Sequence, residues 1–405
     1  MNDYDLINQK YNKLQSELKK KSTSLVRAGY IPGEDFSHSE PLFLTSGFHY
    51  ASANHAKKLY AGEKVSGKIY TRVSNPTTEI FEKKLAVSEN CEAALATSSG
   101  MSAIFLTIIS QISSGESIVC AQEIYGGTEQ LLLKTLSKFG VKSFFISGKK
   151  AENWKIAAEK YKPKIFIFET PSNPTLSICD LEKISEIARD KNIITICDNT
   201  VTTPVIQNPK IFGIDLIIHS ATKYIDGQGR CIGGAICGDK KIIESIRENE
   251  MRNVGNALSP FNSWIFLKGL ETLEIRMKKH SENAEKVCQF LEKHPKVNKI
   301  HYPFWKKNPQ IEIAKKQQKM GGGLLSFEVC DFETGKKLIN SVKMISVVGN
   351  LGDTKSTIGH PASTSHSQSS SEVLEKSGIT PNLIRMSVGI ENYEDICLDL
   401  EQALN

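Results

Sequence analysis

Between residues 117 and 238, short apolar runs rich in β-branched residues alternate with segments of helical periodicity. The runs are Ser117 to Ala121, Lys142 to Ile146, Ile165 to Glu169, Ile193 to Asp198, Leu216 to Ser220 and Gly233 to Cys237. They are apolar almost throughout, which predicts strands buried on both faces, and the helices between them predict a mainly parallel sheet in an α/β domain. Upstream, residues 4 to 20 have the pattern of a polar amphipathic helix. Residues 29 to 70 carry Gly, Pro, Ser and His without a sustained period, an irregular arm suited to packing on another subunit. After Asn75-Pro76, Thr77 or Thr78 is placed to cap a helix through Ala86 and Glu89, and another helix is expected after Ser98-Ser99-Gly100. Downstream, residues 255 to 292 read as one long helix leading into a smaller α+β domain that holds Gly322 to Glu328 and Leu383 to Gly389. The expected division is an arm (1–70), a large domain (71–265) and a C-terminal domain (266–405). The Ser/Thr-rich stretch Ser363 to Ser371 reads as a loop.

A chain of 405 residues is long enough for two such domains and a buried site between them. Lysine and arginine (51) exceed aspartate and glutamate (45) by only six, and the excess is spread along the chain. The cluster Lys19, Lys20, Lys21 reads as a solvated helix end, so neither nucleic acid nor a membrane is expected as a partner. Nine cysteines include no Cys-x-x-Cys pair, and several lie in apolar runs, as Cys197 does; free thiols in a reducing cytoplasm are expected, and no metal. The N-terminus has no basic segment followed by an apolar stretch, and no apolar run approaches the roughly 18 residues of a membrane span. A soluble cytoplasmic protein is the expectation.

Ligands of open α/β sheets gather at the carboxyl ends of the strands, where this chain concentrates its polar residues. Ile165 to Phe168 runs into Glu169-Thr-Pro-Ser-Asn173, Ile193 to Cys197 into Asp198-Asn-Thr200, and Leu216 to His219 into Ser220-Ala-Thr222-Lys223. A lysine beside two hydroxyls is what a Schiff-base site for a phosphorylated aldehyde requires, and points to pyridoxal phosphate. Asp198 is either a helix cap or the partner of a protonated pyridine nitrogen; beside Lys223 the second reading prevails. Ser99, Gly100 and Met101 open a helix whose N–H groups suit a phosphate, as do Ser220 and Thr222 if both face one side of the strand. Tyr70 and Arg72 offer a phenol and a guanidinium fork, with a surface salt bridge as the alternative for Arg72. Tyr125 could stack on a flat heterocycle or be a core tyrosine. Arg385, in a strand-like run, should meet a carboxylate of the protein or of a substrate.

Together, Tyr70 to Thr77, Ser98 to Met101, Asp198 to Thr200 with Thr203-Pro204, Ser220 to Tyr224, His360 to His366 and Arg385 to Gly389 resemble the Cys/Met-metabolism family of pyridoxal-phosphate enzymes. This family includes cystathionine γ-synthase, cystathionine and methionine γ-lyases, and the homoserine-ester sulfhydrylases. The resemblance implies the aspartate aminotransferase-like fold type I, with pyridoxal phosphate bound to Lys223. It implies that Asp198 pairs with the ring nitrogen, that Tyr125 stacks on the ring and can assist proton transfer, and that Asn173 touches the ring oxygen. Ser99, Gly100, Met101, Ser220 and Thr222 would hold the phosphate together with Tyr70 and Arg72 of a neighbouring subunit, in a dimer doubled to a homotetramer. Arg385 and the backbone at Asn350-Leu351 would clamp the substrate carboxylate, with Tyr70 also among the substrate contacts.

Three features narrow the reaction. Methionine γ-lyases usually carry a cysteine two residues after the stacking tyrosine, where this chain has Gly127. Gly227-Gln-Gly-Arg230-Cys231 is similar to the O-succinylhomoserine sulfhydrylases, and Asn350 to Lys355 to both types of homoserine-ester sulfhydrylase. The expected reaction is γ-replacement on an O-acylhomoserine, with sulfide as nucleophile, giving homocysteine for methionine biosynthesis. The rivals are cystathionine γ-synthase, a γ-lyase and a catalytically silent binding protein. Arg230 would either sense a succinyl carboxylate or form a structural ion pair.

Overall fold

Four of the six expected strands form over the residues anticipated, one starts a residue later and one is displaced by one residue. In the computed structural model, which describes residues 3–18, 20–63, 65–364, 374–375 and 377–405, they are β2 (Ser117–Ala121), β3 (Lys142–Ile146), β4 (Ile165–Glu169), β5 (Ile194–Asp198), β6 (Leu216–Ser220) and β7 (Gly234–Gly238). An unexpected strand, β1 (Ala93–Thr97), completes a seven-stranded sheet in the order β1-β7-β6-β5-β4-β2-β3. β7 runs antiparallel to β1 and β6, and the other pairings are parallel. Phe166, Phe168, Cys197 and Ile217 fill a core on one face of this sheet, and Ile165, Ile167, Ile196 and Ile218 fill another on the opposite face. This two-sided burial is what the continuous apolar runs demanded.

A second sheet comprises β8 (Val297–His301), β9 (Leu324–Val329), β10 (Ser346–Val347), β11 (Thr357–Gly359) and β12 (Leu383–Ser387), in the order β10-β11-β12-β9-β8. Phe327, Ile384 and Met386 point into its own core with Val287 and Leu400. Strand alternation therefore sends Ser326 and Arg385, which are register partners, to the opposite face. That face meets the large sheet's loops, for the Ser326 hydroxyl donates to the Pro174 carbonyl at 2.7 Å.

Three local expectations are corrected. The helix Pro76–Ser88 is capped by Asn75, whose side chain accepts from the Thr77 N–H at 3.0 Å. Thr77 instead donates to the Pro41 carbonyl, and Thr78 shares a hydrogen bond with Ser263. The long helix is two, Pro260–Glu271 and Leu273–Leu291, interrupted at Thr272. The interruption lets Arg276 turn back, donating to the Gly269, Tyr224 and Ile225 carbonyls and so capping the first helix while holding the turn after Lys223. The arm is not wholly irregular: it includes the helix Ala53–Tyr60. Glu40 fastens it to the body through the buried Lys84 (3.1 Å) and Lys268 (2.6 Å). Lys19 and most of the Ser363 to Ser371 loop, together with His366, lie outside the described residues.

Candidate active site

The carboxyl ends of β4, β5 and β6, neighbours in the large sheet, gather the expected site residues. Asp198 ends β5 half-buried, with one oxygen accepting from the Thr200 N–H at 3.0 Å. Burial pushes its carboxyl above the ordinary aspartate range, and hydrogen bonds from Thr200 offset only part of that. No ion pair neutralises it among the described residues. The Thr200 hydroxyl in turn accepts from the Ser220 N–H at 2.8 Å, tying the end of β5 to that of β6.

The helix Gly100–Gln111 starts directly against Ser220. A Cβ at position 100 would stand 2.7 Å from the Ser220 Cβ, so only glycine allows this approach. Ser99 caps the helix by accepting from the Ser102 N–H, leaving the Gly100 and Met101 N–H groups at the N-terminal end of a dipole. Ser220 faces this helix start. The Thr222 hydroxyl is engaged with Gly233, accepting from its N–H at 3.0 Å and donating to its carbonyl at 3.2 Å.

Lys223 is largely buried, and its Nζ donates to the Asn350 Oδ1 at 2.5 Å. Desolvation, and secondarily the charge on Arg385, lower its pKa from 10.5 to about 8. Asn350 belongs to a strap from the C-terminal sheet that crosses the Lys223 backbone. A Cβ at Gly352 would lie 2.7 Å from the Tyr224 nitrogen, and the backbone there has φ 80°. The Thr354 N–H donates to the Gly227 carbonyl at 2.8 Å, and the Gly227 N–H to the Lys223 carbonyl at 2.8 Å. The segments 227–231 and 350–355, far apart in the chain, thus pack together beside the lysine.

Arg385 is only 4% exposed. Its Nη2 donates to the carbonyls of Asn350 (3.0 Å) and Gly349 (3.3 Å), while its Nε is buried without a partner. No protein carboxylate meets it among the described residues, and burial alone works against its charge. Leu351 is buried in the core.

Tyr125 lies 40% exposed before the short helix Gly126–Gln130, and any side chain at Gly127 would overlap its ring. Asn173, buried, carries an unpartnered Oδ1. Tyr70 and Arg72 stay together, the guanidinium 5.6 Å from the ring centroid, and are exposed, with Arg72 hydrogen-bonded to the Arg252 carbonyl. Neither is joined to Ser99, Gly100, Ser220 or Thr222 of its own chain by a hydrogen bond or ring contact among the described residues. Arg230 forms the structural ion pair offered as its alternative: its Nε donates to the buried Asp226 at 2.8 Å and its N–H to the same carboxylate at 2.6 Å. A separate cavity of about 660 Å³ opens between Thr175 to Ser177 and β8, but its Lys299 and Lys307 are already paired with Glu328 and Glu292.

An amine of lowered pKa, an unneutralised carboxylate, an orphaned buried guanidinium Nε and an orphaned amide oxygen together fit a charged aromatic phosphate and an amino-acid substrate. The match to the family model described as "Cys/Met metabolism PLP-dependent enzyme" extends over residues 22–405. The chain belongs to this family. Its members share fold type I and use pyridoxal phosphate, as the resemblance implied. The chain is 41% identical to an L-methionine γ-lyase of Fusobacterium nucleatum subsp. polymorphum, over 94% of this chain and 97% of that one. It is 40% identical to the O-succinylhomoserine sulfhydrylase of Pseudomonas aeruginosa, over 94% of each. Among solved structures, a putative O-acetylhomoserine (thiol)-lyase of Campylobacter jejuni, with a pyridoxyl-lysine phosphate, superposes with a TM-score of 0.92 at 35% identity, covering 95% of this chain and all of that one.

This Cys/Met-metabolism enzyme therefore belongs among catalysts of carbon–sulfur bond cleavage and formation. No helix among its described residues is long and apolar enough to cross a membrane. The sequence placed Thr200 and Glu169 at strand ends without giving them a role, and gave none to the Asn350 side chain. The Asp-x-Thr spacing at a strand end was a usable sign of the first; the Asn350 side chain is set by a partner 127 residues away, and the role of Glu169 lies in joining nearby Asn173 to Tyr125, 44 residues back. The amine makes a prediction. Only unprotonated lysine attacks an aldehyde, so the rate at which pyridoxal phosphate reconstitutes the apoenzyme should climb with pH and level off above about 8, instead of climbing on towards 10.5. Stopped-flow absorbance over a pH series measures it.

Proposed function

We propose that this enzyme replaces the γ-acyloxy group of an O-acylhomoserine, the succinyl ester being preferred and the acetyl ester accepted, with sulfide to give homocysteine. The observation that carries this reading is the packing of the 227–231 turn on the 350–355 strap beside Lys223. Both segments resemble homoserine-ester sulfhydrylases, and they meet beside the lysine. The two relatives of nearly equal identity leave the lyase and sulfhydrylase readings level, and Gly127 tips the balance. The Tyr125 ring lies where a side chain at 127 would stand, so the cysteine usual in methionine γ-lyases has no room without moving that ring.

Pyridoxal phosphate, when bound, supplies an electron sink for a carbanion at the substrate α-carbon. Asp198 would hold the ring nitrogen protonated, Asn173 would meet the ring oxygen and Tyr125 would stack on the ring. Gly100, Met101, Ser99 and Ser220 would receive the phosphate, as would Thr222, whose hydroxyl now bonds Gly233. Arg385 binds the substrate α-carboxylate beside the Asn350-Leu351 backbone. The Lys223 amine removes the α-proton and moves a proton at the β-carbon, with Asn350 as its resting partner. The acyloxy group leaves as a carboxylate, hydrosulfide attacks the γ-carbon, and Lys223 returns the protons to the β- and α-carbons, giving homocysteine. Arg230, fixed by Asp226, is at most a secondary contact for a succinyl group.

Tyr70 and Arg72 would act in a neighbouring subunit of a homotetramer built from active dimers. Their exposure, and that of Phe43, Leu44, Tyr50 and Tyr60 along the same arm, supports this assembly. Turnover with sulfide and with cysteine, each with succinyl- and acetylhomoserine, tests the reaction. Homocysteine from sulfide should dominate; cystathionine as the main product, or ammonia released without a nucleophile, would replace this reading with one of its rivals.

A further inference from the structure

β4 ends in Glu169, a buried carboxyl group with no cation in contact among the described residues. Its Oε2 accepts from the Tyr125 N–H at 3.0 Å and its Oε1 from the Asn173 N–H at 3.2 Å. Tyr125 follows β2 and Asn173 follows β4, so one side chain spans two loops, and each loop delivers a residue expected to touch the cofactor. Glu169 also sits across from Asp198 in the register of β4 and β5. We propose that Glu169 is a positioning residue that sets the Tyr125 ring and the Asn173 amide at the two edges of the cofactor site by holding their backbones on a single carboxylate.

Both oxygens accept backbone N–H groups, an arrangement that favours the ionised form. Burial, and then the charge of Asp198, push the group well above the ordinary glutamate range. The two N–H donors offset part of this, and a cation paired with Asp198 removes the repulsion between the carboxylates. Glu169 therefore favours the arrangement in which Asp198 is neutralised by a protonated ring. A buried, unneutralised carboxylate is a poor way to build a strand end for stability alone.

The inference depends on the cofactor roles proposed for Tyr125 and Asn173 and not on the choice of substrate. It is tested by titrating apoenzyme with pyridoxal phosphate, recording the visible band and its circular dichroism at saturation for Glu169→Gln, Glu169→Asp, Tyr125→Ala and Asn173→Ala. The glutamine keeps the shape but turns an amide N–H₂ towards a backbone N–H. The aspartate keeps the charge, and so the folded core, but is one methylene too short to reach both loops. Each should bind the cofactor about tenfold to a hundredfold more weakly, the effect of one lost charge-assisted hydrogen bond, with a changed dichroic band at saturation. A purely structural glutamate would lower the apoenzyme's thermal midpoint and leave the saturated band as in the wild type. Wild-type affinity and dichroism in both Glu169 variants, with the Tyr125 and Asn173 variants impaired, overturns the positioning role. Unimpaired Tyr125 and Asn173 variants overturn the site assignment and the inference with it.

Discussion

Replacing Lys223 with alanine is expected to remove the visible band of the holoenzyme and to lower turnover by at least about a thousandfold, because covalent anchoring and general-base catalysis are lost together. The other cation at the site, Arg385, is a guanidinium and does not serve as a base. The fold should survive, since the lysine side chain makes one hydrogen bond, to Asn350, and its burial is unfavourable to its charge. Far-ultraviolet dichroism should match the wild type, and the phosphate-binding residues should still retain free cofactor weakly. Absorbance after gel filtration, with sulfide-dependent turnover on the same sample, gives the readout. A variant that keeps a covalently held chromophore would refute the assignment of Lys223.

Arg385→Ala should lower kcat/KM by about a hundredfold to a thousandfold while changing cofactor affinity little, the cost of removing one partner from a buried, hydrogen-bonded charge pair. The guanidinium is held by two carbonyls of the strap and has an orphaned Nε, a geometry prepared for a carboxylate that arrives with the substrate. Arg385→Lys should recover only part of the loss, because an ammonium cannot offer the bidentate fork. The thermal midpoint should not fall, since a buried guanidinium without a counter-charge contributes little to stability. A drop in cofactor affinity as large as the drop in kcat/KM would place Arg385 with the cofactor instead.

The strands that carry the site were legible because they are buried on both faces, so that Ile165 to Glu169 and Leu216 to Ser220 announce themselves by composition. β1 was not, because Ala93 to Thr97 is mostly alanine, a weak strand former that becomes a strand only through pairing with β7. The break at Thr272 was hidden for a similar reason: periodicity continues across it, and the cause is Arg276 turning back to carbonyls some 50 residues earlier. At the site, Lys223 and Asp198 stood out as charges at the ends of apolar strands. Sequence alone could not separate a protein partner from a substrate partner for Arg385, because that distinction is the absence of a contact. Arg230 was ambiguous in the opposite sense, since its partner Asp226, four residues away, was in plain view but could have been satisfied elsewhere.

The strap that brings Asn350 across Lys223 also has a consequence for the order of assembly. The strand ends around Lys223 are encoded by residue 223, but the lysine's hydrogen-bond partner follows 127 residues later and Arg385, the proposed carboxylate clamp, later still. A chain emerging from the ribosome possesses its cofactor-binding strand ends well before anything can orient an amino acid over them. The strand ends proposed to hold the cofactor are thus made before the residues proposed to select a substrate.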